Sequence, residues 1–217
     1  MWRKTPTGIP TGFYFGEGKD KEELILPSGA ITYICAPTSH GKSTMLRSLA
    51  LDVATNGQEG DVLYFSYEED VDRISMQMLN TYVNEELTKE TSISNNIRTL
   101  KEHYRTGAVQ YISGEAYKPF KEKEAKFMEL LTTGALRIYK EDPYISDLVA
   151  SIRLLNRNTK IKAVFIDYIQ VLKDKDTKVS QKERMQEICM QLMTLSVDLS
   201  LPFIVGAQLN RDTPSPI

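Results

Sequence analysis

Only two cysteines and two histidines occur among the 217 residues, too few for a disulfide framework or a zinc cluster. Cys35 and Cys189 lie far apart in apolar contexts, so a reduced, cytoplasmic setting is expected. Charge of one sign is lacking as well: 27 basic residues stand against 29 acidic ones, a formal net charge of -2. That balance excludes a basic coat for nucleic acid, and any such contact must be local or shared between subunits. Long apolar runs are absent. None approaches the roughly 18 residues of a membrane span, and Arg3 and Lys4 near the start are followed by no apolar segment of a signal peptide. A chain of this size buries about 70% of its unfolded surface without staples, so residues 1–217 are read as one domain.

Apolar, β-branched runs alternate with helical patterns. Candidate strands are Ala30–Cys35, Val62–Ser66, Leu136–Tyr139, Ala163–Asp167 and Phe203–Ala207. Their near-continuous hydrophobicity predicts an α/β fold with a mainly parallel central sheet and helices on both faces. Leu46, Leu49, Ala50 and Val53 mark a helix over 44–56 that stops at Asn56-Gly57. Asp70 can cap a second helix carrying Val71, Ile74, Met78 and Tyr82 on one face. Leu148, Ile152 and Leu155 mark a third, and Met185, Ile188, Leu192, Leu195 and Leu199 the longest, closed by Pro202.

Residues 84–134 are more polar, with a helix expected over 93–104 and a charge-dense run, KPFKEKEAKFMEL. Their charges balance, so they read as a solvated helical insertion on the rim of the sheet.

Between the first strand and the first helix stands Ala36-Pro37-Thr38-Ser39-His40-Gly41-Lys42-Ser43-Thr44. This fits a P-loop, with Ala36 in the place of its first glycine. A loop opening a helix directs backbone N–H groups at a phosphate chain, and the helix dipole adds to the attraction. Gly41 permits close backbone approach, Lys42 supplies a point charge for the outer phosphates, and the Ser43 hydroxyl can ligate Mg²⁺. ATP and Mg²⁺ are the expected ligands. His40 contributes backbone only, and His103 reads as a surface residue.

A second carboxylate should hold the metal's hydration shell from the end of another buried strand, and Asp167 closes Ala163–Ile166 in that way. Hydrolysis needs a group that polarises water, for which Glu68 and Glu69 end the strand after the P-loop helix. Either could instead be an acidic residue favoured by the following helix dipole, more so Glu69, which lies closer to that helix. Gln208 ends the last strand at the same edge, placed to sense the outermost phosphate.

APTSHGKST, YFSYEED, VFIDYIQVL and VGAQLNRD, in that order, resemble the ATPase domain of DnaB-type replicative helicases within the RecA-like P-loop superfamily. TGIPTGF followed by LPSGAITYICA resembles the lead-in to that family's P-loop. The resemblance implies Glu68 as the catalytic glutamate, Asp167 holding Mg²⁺ through water, and Gln208 coupling nucleotide state to loops that contact DNA. It implies a homo-oligomeric ring, usually a hexamer, around single-stranded DNA. The loop with Lys173, Lys175 and Lys178 would line the channel, with Arg211 as a further contact.

Two departures leave a second reading open. The Glu68-Glu69 pair is more similar to the KaiC and RadA branches, whose members include ATP-dependent switches and repair ATPases without helicase activity. The sequence also stops at Ile217, soon after Gln208, where the resemblance implies further strands and a trans-acting finger. A fragment of a longer protein is therefore expected, with weak hydrolysis by this part alone.

Overall fold

The computed structural model describes residues 8–16, 18, 21–84, 117–174 and 180–209. Five strands form one sheet: β3 (Ile31–Ala36), β4 (Asp61–Ser66), β5 (Leu136–Tyr139), β6 (Ile161–Asp167) and β7 (Phe203–Gln208). Their order is β3-β7-β6-β4-β5, and every neighbouring pair is parallel. Parallel neighbours need crossovers, supplied by α1 (Lys42–Thr55), α2 (Val71–Asn84), α3 (Tyr117–Thr133), α4 (Ile145–Asn158) and α5 (Gln181–Leu199). The mainly parallel α/β architecture of RecA-like proteins is thus the observed one, with its predicted strands displaced by at most two residues at their ends.

Strand alternation divides the core in two. Val62, Tyr64, Ala163, Phe165 and Ile204 pack with buried residues of α1, α2 and α3. Leu63, Phe65, Val164, Ile166, Phe203 and Val205 pack with those of α4 and α5. Both faces are covered, so all seven residues of β6 are buried.

The helical stripes lie where periodicity places them: Leu46, Leu49, Ala50 and Val53 of α1, and Ile188, Leu192 and Leu195 of α5, are all buried. Asp70 heads α2 through its carbonyl, which accepts from Ile74 N at 3.0 Å, while its carboxylate meets Lys140. α5 begins with a capping box: Ser180 Oγ accepts from Glu183 N, and Glu183 Oε2 accepts from Ser180 N. It ends at Ser200 in the left-handed region, before Pro202 is reached.

Two features differ from expectation. A hairpin of β1 (Gly8–Phe15) and β2 (Glu22–Pro27) precedes the sheet, pairing antiparallel across a register shift between Pro10 and Tyr14. It buries Ile9 and Leu26 in the first core, and Asn56 Nδ2 ties it to the end of α1 by donating to Pro10 O at 3.1 Å. The charge-dense run is the second difference. It forms α3, whose Phe120 and Phe127 are buried against α2 and β5 instead of riding on the rim in solvent. A strip of apolar residues four to seven apart suffices to dock a helix that is otherwise charged. The helix expected over 93–104 lies outside the described residues.

Candidate nucleotide site

The carboxyl ends of β3, β4, β6 and β7 meet at one edge of the sheet, where ligands of open α/β folds gather. There a cavity of about 370 Å³ is lined by the loop residues Pro37, Thr38, Ser39, Gly41, Lys42, Ser43 and Thr44 together with Arg47, Glu68, Glu69, Gln77 and Gln208. The loop leaves β3 at Ala36 and enters α1 at Lys42. Gly41 makes that turn at φ +79°, a left-handed conformation, and open space surrounds the position a β-carbon would take. His40 Nδ1 stays within the loop, 2.8 Å from Thr38 O.

Lys42 and Asp167, 125 positions apart, meet at the centre. Lys42 Nζ donates to Asp167 Oδ1 at 2.6 Å, and both side chains are about nine-tenths buried. Lys42 Nζ also lies 4.1 Å from the centre of the Tyr168 ring, close enough for a cation–π attraction. Asp167 Oδ2 accepts from the Tyr64 hydroxyl at 3.1 Å. Burial, reinforced by the Asp167 charge, holds the Tyr64 phenol well above its ordinary pKa, so it remains a donor to the carboxylate. Ser43 stands on the first turn of α1 in the same cavity.

The adjacent glutamates occupy different surroundings. Glu69 Oε1 meets Arg73 Nε at 2.7 Å and Gln77 Nε2 at 3.3 Å, and its Oε2 meets Arg47 Nη1 at 3.2 Å. Its carboxylate joins α1 to α2. Ser66 Oγ closes the turn beneath, donating to Glu69 O at 3.0 Å and accepting from Glu69 N at 3.2 Å. Glu68 stands between these anchors, exposed on the cavity side.

Gln208 is held at both ends. Its side-chain Nε2 donates to Thr38 Oγ1 at 2.8 Å. Its backbone N donates to Gln170 Oε1 at 3.1 Å, and its carbonyl accepts from Gln170 Nε2 at 2.9 Å. Lys173 is exposed beyond the short 3-10 turn Ile169–Val171, and its backbone pairs with Pro143 and Ile145. Lys175, Lys178 and Arg211 lie outside the described residues.

Four contributors were not singled out from sequence. Gly206 carries a readable signal, a glycine inside an apolar strand: a β-carbon there would stand 2.8 Å from Leu46 Cδ1 and 3.3 Å from both Lys42 Cδ and Asp167 Oδ1. Arg47 is a buried cation on an apolar helix face, a type that requires a partner. Tyr64 carries no such signal, since a strand tyrosine is ordinary, and Gln170 enters only as the end of the stretch Asp167–Gln170 that carries the family resemblance, with no role given to it.

Comparison with known proteins gives the fold and the family. The curated relatives include the replicative DNA helicase DnaB of Helicobacter pylori, 28% identical over 207 residues. A probable plasmid replicative DNA helicase of Chlamydia muridarum is 26% identical over 208 residues. Each alignment takes in 94% of this chain but only 37% and 40%, respectively, of the relative's length. Among solved structures, a DnaB-like replicative helicase studied with primase superposes with a TM-score of 0.69 at 17% identity, over 87% of this chain and 42% of that one. A solved ATPase domain superposes at 0.66 with 18% identity, over 83% of this chain and 57% of that one. The model of the DnaB-like helicase C-terminal domain matches residues 8–215, and the chain belongs to that family.

Proposed function

We propose that the chain is a motor domain that binds and hydrolyses Mg²⁺-ATP and couples turnover to movement on single-stranded DNA, as one subunit of a homo-oligomeric ring. The observation that carries this reading is the arrangement at the carboxyl ends of the strands, where Lys42, Glu68 and Gln208 line the P-loop cavity and Asp167 bonds to Lys42.

The donor set fits the ligands. Loop N–H groups around Gly41 and the start of α1 favour phosphate oxygens. Ser43 and Asp167 offer the hard oxygen donors that Mg²⁺ takes, and it commonly uses one or two of these together with phosphates. When bound, the cation would offset charge developing on the phosphates. Lys42 serves the phosphates once its ammonium turns from Asp167, and Tyr64 keeps its bond to that carboxylate. Glu68, free of the ion pairs that hold Glu69, orients the attacking water. Gln208 reads the outer phosphate from Thr38's side of the cavity.

Two substitutions test the assignment. Lys42→Ala should abolish binding of a fluorescent ATP analogue. Glu68→Gln should keep that binding and lose turnover by a factor of about 10² or more, the scale of general-base catalysis. Full turnover in Glu68→Gln would remove Glu68 from the role.

A further inference from the structure

Beyond the nucleotide contacts lies a junction that the proposed mechanism leaves unexplained. β6 and β7 pair only through Val164–Ile166 and Phe203–Val205. Past that point β7 continues to Gln208 against β3, while the chain leaving β6 turns away through Tyr168 into the 3-10 turn. The side of β7 that faced β6 then lacks a ladder partner at Gln208. Gln170 takes that place with its side chain. A carboxamide offers one donor and one acceptor side by side, and here they engage the N–H and C=O of a single residue at 3.1 and 2.9 Å. Gln208 in turn reaches Thr38 of the P-loop, and Leu209 N donates to Ala36 O at 3.1 Å.

We infer that Gln170 is a positioning residue that couples occupancy of the P-loop to the segment Ile169–Lys173. The inference rests on the nucleotide reading above and deepens it. Thr38, Gln208, Gln170 and the 3-10 turn form one hydrogen-bonded chain. Lys42, poised over the ring of Tyr168, touches the same segment from a second direction. Any shift of Thr38 or Lys42 toward a phosphate is therefore passed to this turn. The turn is tied together internally and to the start of α4. Its own bonds are Val171 N to Tyr168 O and Leu172 N to Ile169 O, and Lys173 N docks on Pro143 O before α4.

Amide hydrogen exchange separates the two readings. With Mg²⁺ and a non-hydrolysable ATP analogue, protection should rise in residues 36–44 and also in 169–173. Gln170→Met keeps the side chain's length and loses both bonds. Protection of 36–44 should persist in it, while the nucleotide-dependent gain at 169–173 falls about tenfold, within the usual range of coupling between sites. Its kcat per nucleotide-binding site, with sites counted by titration with the ATP analogue so that unfolded protein is left out, should fall with KM for ATP little changed. Gln170→Glu, which retains the acceptor but sets an oxygen against Gln208 O, should behave alike and serves if the methionine variant is unstable. Equal gains at 169–173 in wild type and variants, or no gain there in wild type, overturn the coupling. Absence of protection at 36–44 in the wild type instead overturns the nucleotide reading, and the inference with it.

Discussion

Gly206 determines how closely Lys42 and Asp167 can approach. Both side chains pass over its α-carbon, and Leu46, fully buried, closes the remaining space. A methyl group there has nowhere to go, because the leucine is packed on all sides and the other neighbours form the ion pair. Gly206→Ala is expected to cost about 1–3 kcal/mol in a urea titration, the range for overpacked cores. It should also weaken ATP-analogue binding, since the methyl presses on Lys42 Cδ and Asp167 Oδ1 and displaces the two groups proposed to serve phosphate and metal. Unchanged stability and affinity would show that the pair has slack. The same scale separates the two glutamates. Glu69 neutralises Arg47, a buried cation, and Arg73, so its carboxylate is committed to joining two helices. Glu68 carries no such commitment, and its place between two anchored residues holds its backbone still while the side chain faces the cavity.

At the level of elements, α3 shows where reading from sequence succeeds and fails. Its seventeen residues carry so many charges that the apolar strip is easy to overlook, yet Phe120 and Phe127 are buried and Phe127 lies 6.1 Å from the ring of Tyr82. Phe127→Ala should therefore destabilise the domain by about 3–5 kcal/mol in chemical denaturation. Neighbouring Lys126→Ala should stay within about 0.5 kcal/mol. A helix merely resting in solvent would give similar small values for both. The central strands were legible because burial on both faces writes long apolar runs, as in β6, and the P-loop because its chemistry fixes residue types at fixed spacing. The hairpin was not: Gly8, Pro10, Gly12 and Pro27 read as breakers, and the register shift at Pro10–Tyr14 spoils the alternation that marks strands. Within the site, the residues proposed to touch ligands were readable and those that hold them in place were not. Gln170 and Tyr64 act through contacts with positions 38 and 103 residues away, which no local pattern records.

For the whole molecule, near-neutral charge sets the terms on which DNA could be engaged. A chain with net charge -2 gains little from long-range attraction to a polyanion, so on the proposed ring reading binding comes from a few local cations repeated around the ring. Lys173, Lys175 and Lys178 are the proposed set. If each neutralises one phosphate, the logarithm of the binding constant for single-stranded DNA should fall with the logarithm of salt concentration with a slope of about -2 per engaged subunit. Charge-neutral substitution of all three should flatten that slope. ATP turnover should rise on adding single-stranded DNA and lose the stimulation as salt is raised, because the loop that carries these lysines follows the Gln170 junction. An ATP-dependent switch of the KaiC kind predicts the opposite pattern: turnover indifferent to DNA at every salt concentration, with nucleotide altering only association between subunits or with a protein partner. Turnover measured across a salt series, with and without oligonucleotide, therefore decides between motor and switch, and a flat response at low salt would end the motor reading.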